Sequence, residues 1–109
     1  MRIEVVTLFP ELLSGGLKFG VLGRAIERRL LAVGTEDPRA YASDVHRTVD
    51  DRPYGGGPGM VLKPGPMLAA IGAAYARVPA GSVRIALSAQ GERLTQAGVR
   101  ELAALPGWY

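Results

Sequence analysis

The sequence predicts an α/β fold, a largely parallel sheet with flanking helices. Three observations carry that reading. Short β-branched runs, Ile3-Glu4-Val5-Val6 and Val83-Arg84-Ile85, alternate with stretches of helical period such as Val21–Leu30 and Met67–Val78. Gly and Pro fall mostly between these runs. Strands alternating with amphipathic helices are the signature of parallel βα architecture.

Residues 2–8 form the first predicted strand, closed by Pro10, which lacks an amide for a ladder. Pro10-Glu11-Leu12-Leu13 suits a single helical turn with Pro in its first position, broken by Gly15-Gly16. Val21, Leu22, Ala25, Ile26 and Leu30 make one face of a helix over 21–30. Leu31-Ala32-Val33 opens a second strand. Residues 34–59 lack a clear period, and a connection as long as 44–59 is usually functional or disordered. Met60-Val61-Leu62 is a strand or the approach to a helix that begins at Pro64 and Pro66. That helix carries Met67, Leu68, Ile71, Ala74, Tyr75 and Val78 inward. Residues 83–87 form the next strand and Ser88–Arg93 a turn beyond it. Thr95 caps a helix reaching about Leu105, with Val99, Leu102 and Ala103 inward. Trp108-Tyr109 then read as the opening of another strand, so the chain is expected to stop in mid-fold.

Composition excludes several functions. The chain has 109 residues, 48% hydrophobic and 21% charged, which is globular usage. With no Cys, disulfide scaffolds, thiolate metal sites and thiol nucleophiles are excluded. His46 is the only His, so neither a two-His metal motif nor a triad can be argued, and no metal is expected. No apolar run approaches the ~20 residues of a membrane span, and the N-terminus does not read as a signal peptide. The expected compartment is the cytoplasm. The net charge of +3, with eleven Arg and two Lys, permits a polyanionic partner without requiring one. Arg24, Arg28 and Arg29 read first as a solvated helix face and second as a contact for an RNA backbone.

Two segments are candidates for chemistry. In open parallel sheets, ligands sit beyond the carboxyl ends of strands. Leu87-Ser88-Ala89-Gln90-Gly91 lies at such an end, with a hydroxyl, an amide side chain and a glycine for close approach, although an ordinary turn has the same spacing. The other is Asp50-Asp51-Arg52-Pro53-Tyr54-Gly55-Gly56-Gly57-Pro58-Gly59. A carboxylate there can accept from the N1–H and N2–H₂ edge of guanine. Exposed glycine amides can take a carbonyl oxygen or a phosphate. No GK[ST] follows, so it is not a Walker A loop. A surface loop held by a local Asp–Arg ion pair is the plainer alternative.

Four segments in order carry a resemblance: Thr7-Leu8-Phe9-Pro10-Glu11, Gly20-Val21-Leu22-Gly23-Arg24-Ala25, the run His46–Met60, and Leu87-Ser88-Ala89-Gln90-Gly91. Together they resemble the N-terminal part of bacterial tRNA (guanine-N1)-methyltransferases, over essentially the whole chain. The resemblance implies a trefoil-knot (SPOUT-type) methyltransferase domain, with residues 1–109 as its N-terminal part and the knot incomplete. It implies S-adenosylmethionine as methyl donor, tRNA as substrate at the guanosine just 3′ of the anticodon, and a homodimer with a shared active site. Leu87, Ser88, Ala89, Gln90 and Gly91 match the first of three cofactor segments. Asp50 and Gly59 match positions touching the target guanosine and its neighbour, with Gly55 and Arg52 in the same substrate loop. The general base and the C-terminal tRNA-binding domain lie beyond Tyr109 in the family. The family carries Pro where this sequence has Ala89, which removes one fixed φ from the cofactor loop. Two rivals remain: a non-catalytic RNA-binding module, or a nucleotide- or phosphate-binding protein using Gly55–Gly59.

Overall fold

The computed structural model describes residues 1–109. Strand β1 (Arg2–Val6) leads through α1 (Pro10–Gly16) and α2 (Gly20–Glu27) to β2 (Ala32–Glu36) and a 3₁₀ turn at Pro38–Tyr41. Next come β3 (Asp50–Asp51), β4 (Val61–Leu62), α3 (Pro64–Tyr75), α4 (Gln96–Ala103) and β5 (Gly107–Trp108). The main sheet is parallel in the order β2-β1-β5, with Ile3 opposite Val33 and Trp108. Beyond β5, Val83 pairs in parallel with Trp108. The last strand in the chain therefore lies inside the sheet. The expected class, a parallel α/β sheet with flanking helices, is the one observed.

Several boundaries differ from expectation. Gly15 and Gly16 do not break α1; they form its last turn, and the Leu17 amide still donates to the Leu13 carbonyl at 3.1 Å. Helix α2 stops at Glu27, not Leu30, because Arg29 turns left-handed with φ 58°. The Arg29 amide donates to the Ile26 carbonyl (2.9 Å) and the Leu30 amide to the Ala25 carbonyl (2.9 Å). Those two bonds are the Schellman closure, built here on an arginine where glycine is usual. The 83–87 strand shrinks to a bridge. Its ladder partner spans only 107–109, so bonding ends with the Ile85 amide on the Tyr109 carbonyl at 2.8 Å. Helix α4 ends at Ala103, short of Leu105. Thr95 caps it as expected, its hydroxyl accepting from the Gly98 amide at 3.2 Å. The long connection is not wholly open: β3 and β4 pair antiparallel, Asp50 opposite Leu62 and Asp51 opposite Val61.

The core also sits elsewhere than the apolar stripes suggest. Leu68 and Tyr75 of α3 are exposed, whereas Ala70 and Ala74 are fully buried. Met60, Val99 and Ala103 are exposed as well. Alanines let α3 lie close against β1 and β2, on the face that carries Arg2, Glu4, Gly34 and Glu36. Glu4 is buried in the middle of β1. Arg2 Nε donates to its Oε1 at 2.9 Å and Arg77 Nε to its Oε2 at 3.2 Å. Arg77 also pairs with Glu36, whose Oε1 accepts from the Tyr41 hydroxyl at 2.6 Å. Gly34 stands directly opposite Glu4, and a Cβ there would overlap the carboxylate. A buried charge is tolerable only when paired in this way.

The surface is large. It measures 8330 Å², against about 5,800 Å² for a typical folded monomer of this mass. Only 7 of 109 residues are buried, and Phe9, Leu12, Phe19, Val21, Leu22 and Leu30 stand exposed on and around α1 and α2.

Candidate functional site

The acidic-then-glycyl segment is a hairpin with a wide tip. Its base is zipped by β3 and β4 and extended by the Lys63 amide donating to the Val49 carbonyl at 2.7 Å. Val49 is buried and Asp50 half-buried, so the backbone at the first acid of the pair is fixed, while its carboxylate makes no hydrogen bond or ion pair. Asp51 is exposed, and its Oδ1 accepts from the Arg52 amide at 2.8 Å. The guanidinium of Arg52 makes no ion pair, so the local Asp–Arg bridge does not form. Its charge is left facing solvent.

The tip is held by backbone conformation and not by neighbours. The Gly56 amide donates to the Pro53 carbonyl at 3.1 Å, closing a turn with Gly55 at its third position and φ 88°. That position of a type II turn requires positive φ, hence glycine. Gly56, Gly57 and Gly59 also have positive φ, at 83°, 118° and 96°. Nothing lies within 4 Å of where a Cβ would stand on any of the four. Space is open; the dihedral angles alone demand glycine. The result is an exposed glycine-rich tip, with Tyr54 fully exposed on it.

Upstream, residues 44–48 form a second turn. The Thr48 hydroxyl donates to Asp44 Oδ2 at 2.6 Å, and the Thr48 amide donates to Oδ1 at 2.9 Å. The Thr48 hydroxyl bond is the main cause that holds the Asp44 carboxyl below its ordinary value of 3.8. Arg47 adopts φ 50° here, and His46 beside it is exposed with no hydrogen-bond partner.

The second candidate segment follows the 83–85 pairing. Ser88 Oγ accepts from the Gln90 amide at 3.2 Å, and the Ser88 carbonyl accepts from the Gly91 amide at 3.1 Å. These two bonds order the turn that Pro would otherwise stiffen at position 89. Leu87, Ser88, Ala89, Gln90 and Gly91 are all exposed. The Ala89 amide is left without a partner, and Leu87 offers an uncovered apolar side chain beside it. No hydrogen bond or ion pair joins this segment to the 50–59 hairpin.

Sequence reasoning overlooked one anchor. Arg39 donates to the Leu8 carbonyl and lies 5.9 Å over the Phe9 ring, beside Asp37 at 3.9 Å. It pins the carboxyl end of β1, where Thr7 Oγ1 also accepts from the Phe9 amide at 3.1 Å. The Asp37-Pro38 start of a turn was the only available signal. No group of three or more metal-ligating side chains converges anywhere, and no helix is long and apolar enough to cross a membrane.

A short parallel sheet with helices packed against it and long loops between its elements defines an α/β protein. The family model for tRNA (Guanine-1)-methyltransferase TrmD matches residues 1–106, so the chain belongs to that family. A tRNA (guanine-N(1)-)-methyltransferase of Hahella chejuensis is 54% identical over 103 residues, covering 94% of this chain and 40% of that protein. One of Methylococcus capsulatus is 49% identical over 107 residues, covering 98% and 43%. The crystal structure of tRNA (m1G37) methyltransferase from Aquifex aeolicus superposes with a TM-score of 0.80 at 32% identity, covering 99% of this chain and 48% of that one. The chain thus spans less than half the length of these relatives.

Proposed function

We propose that this chain is the N-terminal part, residues 1–109, of the catalytic domain of a tRNA methyltransferase. The domain transfers a methyl group from S-adenosylmethionine to N1 of the guanosine just 3′ of the anticodon. The carrying observation is the 50–59 hairpin. Asp50, held by backbone pairing and free of any side-chain partner, precedes an exposed loop with four positive-φ glycines, in a chain that matches the family over residues 1–106.

Guanine N1 bears a proton and is a poor nucleophile until that proton leaves. Asp50 accepts from the N2–H₂ group and orients the base, leaving N1 open to a base and to the methyl carbon, while an amide of Gly55–Gly59 donates to O6 as charge develops there. Arg52, free of any ion pair, neutralises a neighbouring phosphate. The base that removes the N1 proton is not among these residues.

Leu87–Gly91 fit one wall of the cofactor pocket. The uncovered Leu87 side chain suits an adenine face, and the unpartnered Ala89 amide suits a ring nitrogen. When bound, S-adenosylmethionine supplies an electrophilic methyl carbon on sulfur. Ser88 holds the turn in shape for it. A homodimer supplies the remainder of a shared site, a reading supported by the exposed apolar side chains of α1 and α2.

The test is Asp50→Ala in the intact natural protein, with a radiolabelled methyl donor and a tRNA transcript. Methylation is expected to fall at least a hundredfold with cofactor affinity changed less than about threefold. Equal loss of both, with a lowered melting temperature, would assign Asp50 to folding.

A further inference from the structure

We propose that the groove along the C-terminal half of α2 binds a backbone phosphate of the tRNA substrate, through Arg24 and Arg28. The proposal rests on the methyltransferase reading and adds a contact remote from the reacting base.

Val21, Arg24, Ala25, Arg28 and Leu30 line a groove of about 270 Å³, room for a phosphodiester with its flanking sugar. Arg24 and Arg28 stand four residues apart and therefore one above the other on one helix face. The chain's acids leave both guanidinium groups unclaimed. Glu4 is taken by Arg2 and Arg77, Glu36 by Arg77, and Asp37 by Arg39. Glu27, the only acid of α2, lines a different groove with Lys18, Ile26 and Val33. The pair is thus not neutralised by its own helix. A cation near a helix C-terminus gains from the dipole, but that does not require two guanidinium groups to share one concavity. The Schellman closure at Arg29 swings Leu30 back to form the apolar wall. Two planar forks over an apolar floor match a phosphodiester, which offers paired oxygens above a sugar. Phosphates are also where most protein–nucleic acid hydrogen bonds go.

Binding of the intact natural protein to a tRNA transcript, followed by fluorescence anisotropy across a salt series, tests this. Arg24→Gln/Arg28→Gln is expected to weaken binding about tenfold or more at 0.1 M salt and to flatten the slope of log K against log salt by about 1.4 to 1.8. Arg24→Lys/Arg28→Lys restores the slope, which separates lost charge from a damaged helix. Unchanged affinity and slope in the Gln variant, with methyl transfer intact in the parent protein, would overturn the groove and leave the enzyme reading standing. So would a loss of affinity with no change of slope, or with no recovery in the Lys variant. A parent protein that neither binds nor methylates tRNA would overturn both.

Discussion

Gly34 and Glu4 form one unit. Glu4 is the acid inside an otherwise apolar run, and its carboxylate occupies the space a Cβ at position 34 would need. Gly34→Ala is therefore expected to cost about 2–3 kcal/mol in thermal or denaturant unfolding, because the displaced carboxylate loses its alignment with two arginines. An unchanged melting temperature would show that the pair can shift without loss. Asp44 works in the opposite setting, at the surface. Its folded pKa lies below the ordinary 3.8, so its contribution to the 44–48 turn is complete above that value and lost as pH falls through the lowered one. Protection of the Thr48 amide, its exchange rate relative to the intrinsic rate at the same pH, should be lost over that acidic window and hold constant at neutral pH. The special backbone path at Gly55–Gly59 was legible in the sequence because a dense glycine run inside a globular pattern signals one, and four of these glycines have positive φ. Arg77 and Arg39 are invisible there: each acts on a residue about 30 or more positions away.

At the scale of elements, type was more legible than extent. Strand β1, helix α2 and helix α4 stand where their periods put them, and Thr95 announced its own cap. Ends failed where tertiary geometry decided them. Arg29 gives no sign of a left-handed residue, yet it terminates α2 three residues before the apolar stripe ends. The strain makes a prediction: Arg29→Gly should stabilise the protein by about 0.5–1 kcal/mol, relief of the left-handed cost outweighing the added freedom of the unfolded chain. A lower melting temperature would mean that the Arg29 side chain makes a contact of its own. Residues 83–87 have strand character, but only Val83 and Ile85 bond to the 107–109 segment. The alanine face of α3 was hidden for a different reason. Closeness to the sheet, not bulk, places Ala70 and Ala74 at the centre, and hydropathy ranks them below Leu68.

Across the whole molecule, surface outweighs core. The radius of gyration is 15.8 Å, where about 13 Å is usual for a chain of this length. Exposed apolar side chains gather on α1, α2 and the 50–62 hairpin. The 109-residue chain prepared alone is therefore expected to bind a hydrophobic dye, to self-associate with rising concentration, and to transfer no methyl group to tRNA. A sharp cooperative melt of a dye-silent monomer would contradict that. The threading of the sheet has a temporal corollary. Gly107 and Trp108 slot between Arg2-Ile3 and Val83, so the first-made strand waits on the ribosome for a neighbour that emerges about a hundred residues later. During that interval β1 has only β2 beside it in the sheet, and its open edge is available to any other nascent chain nearby.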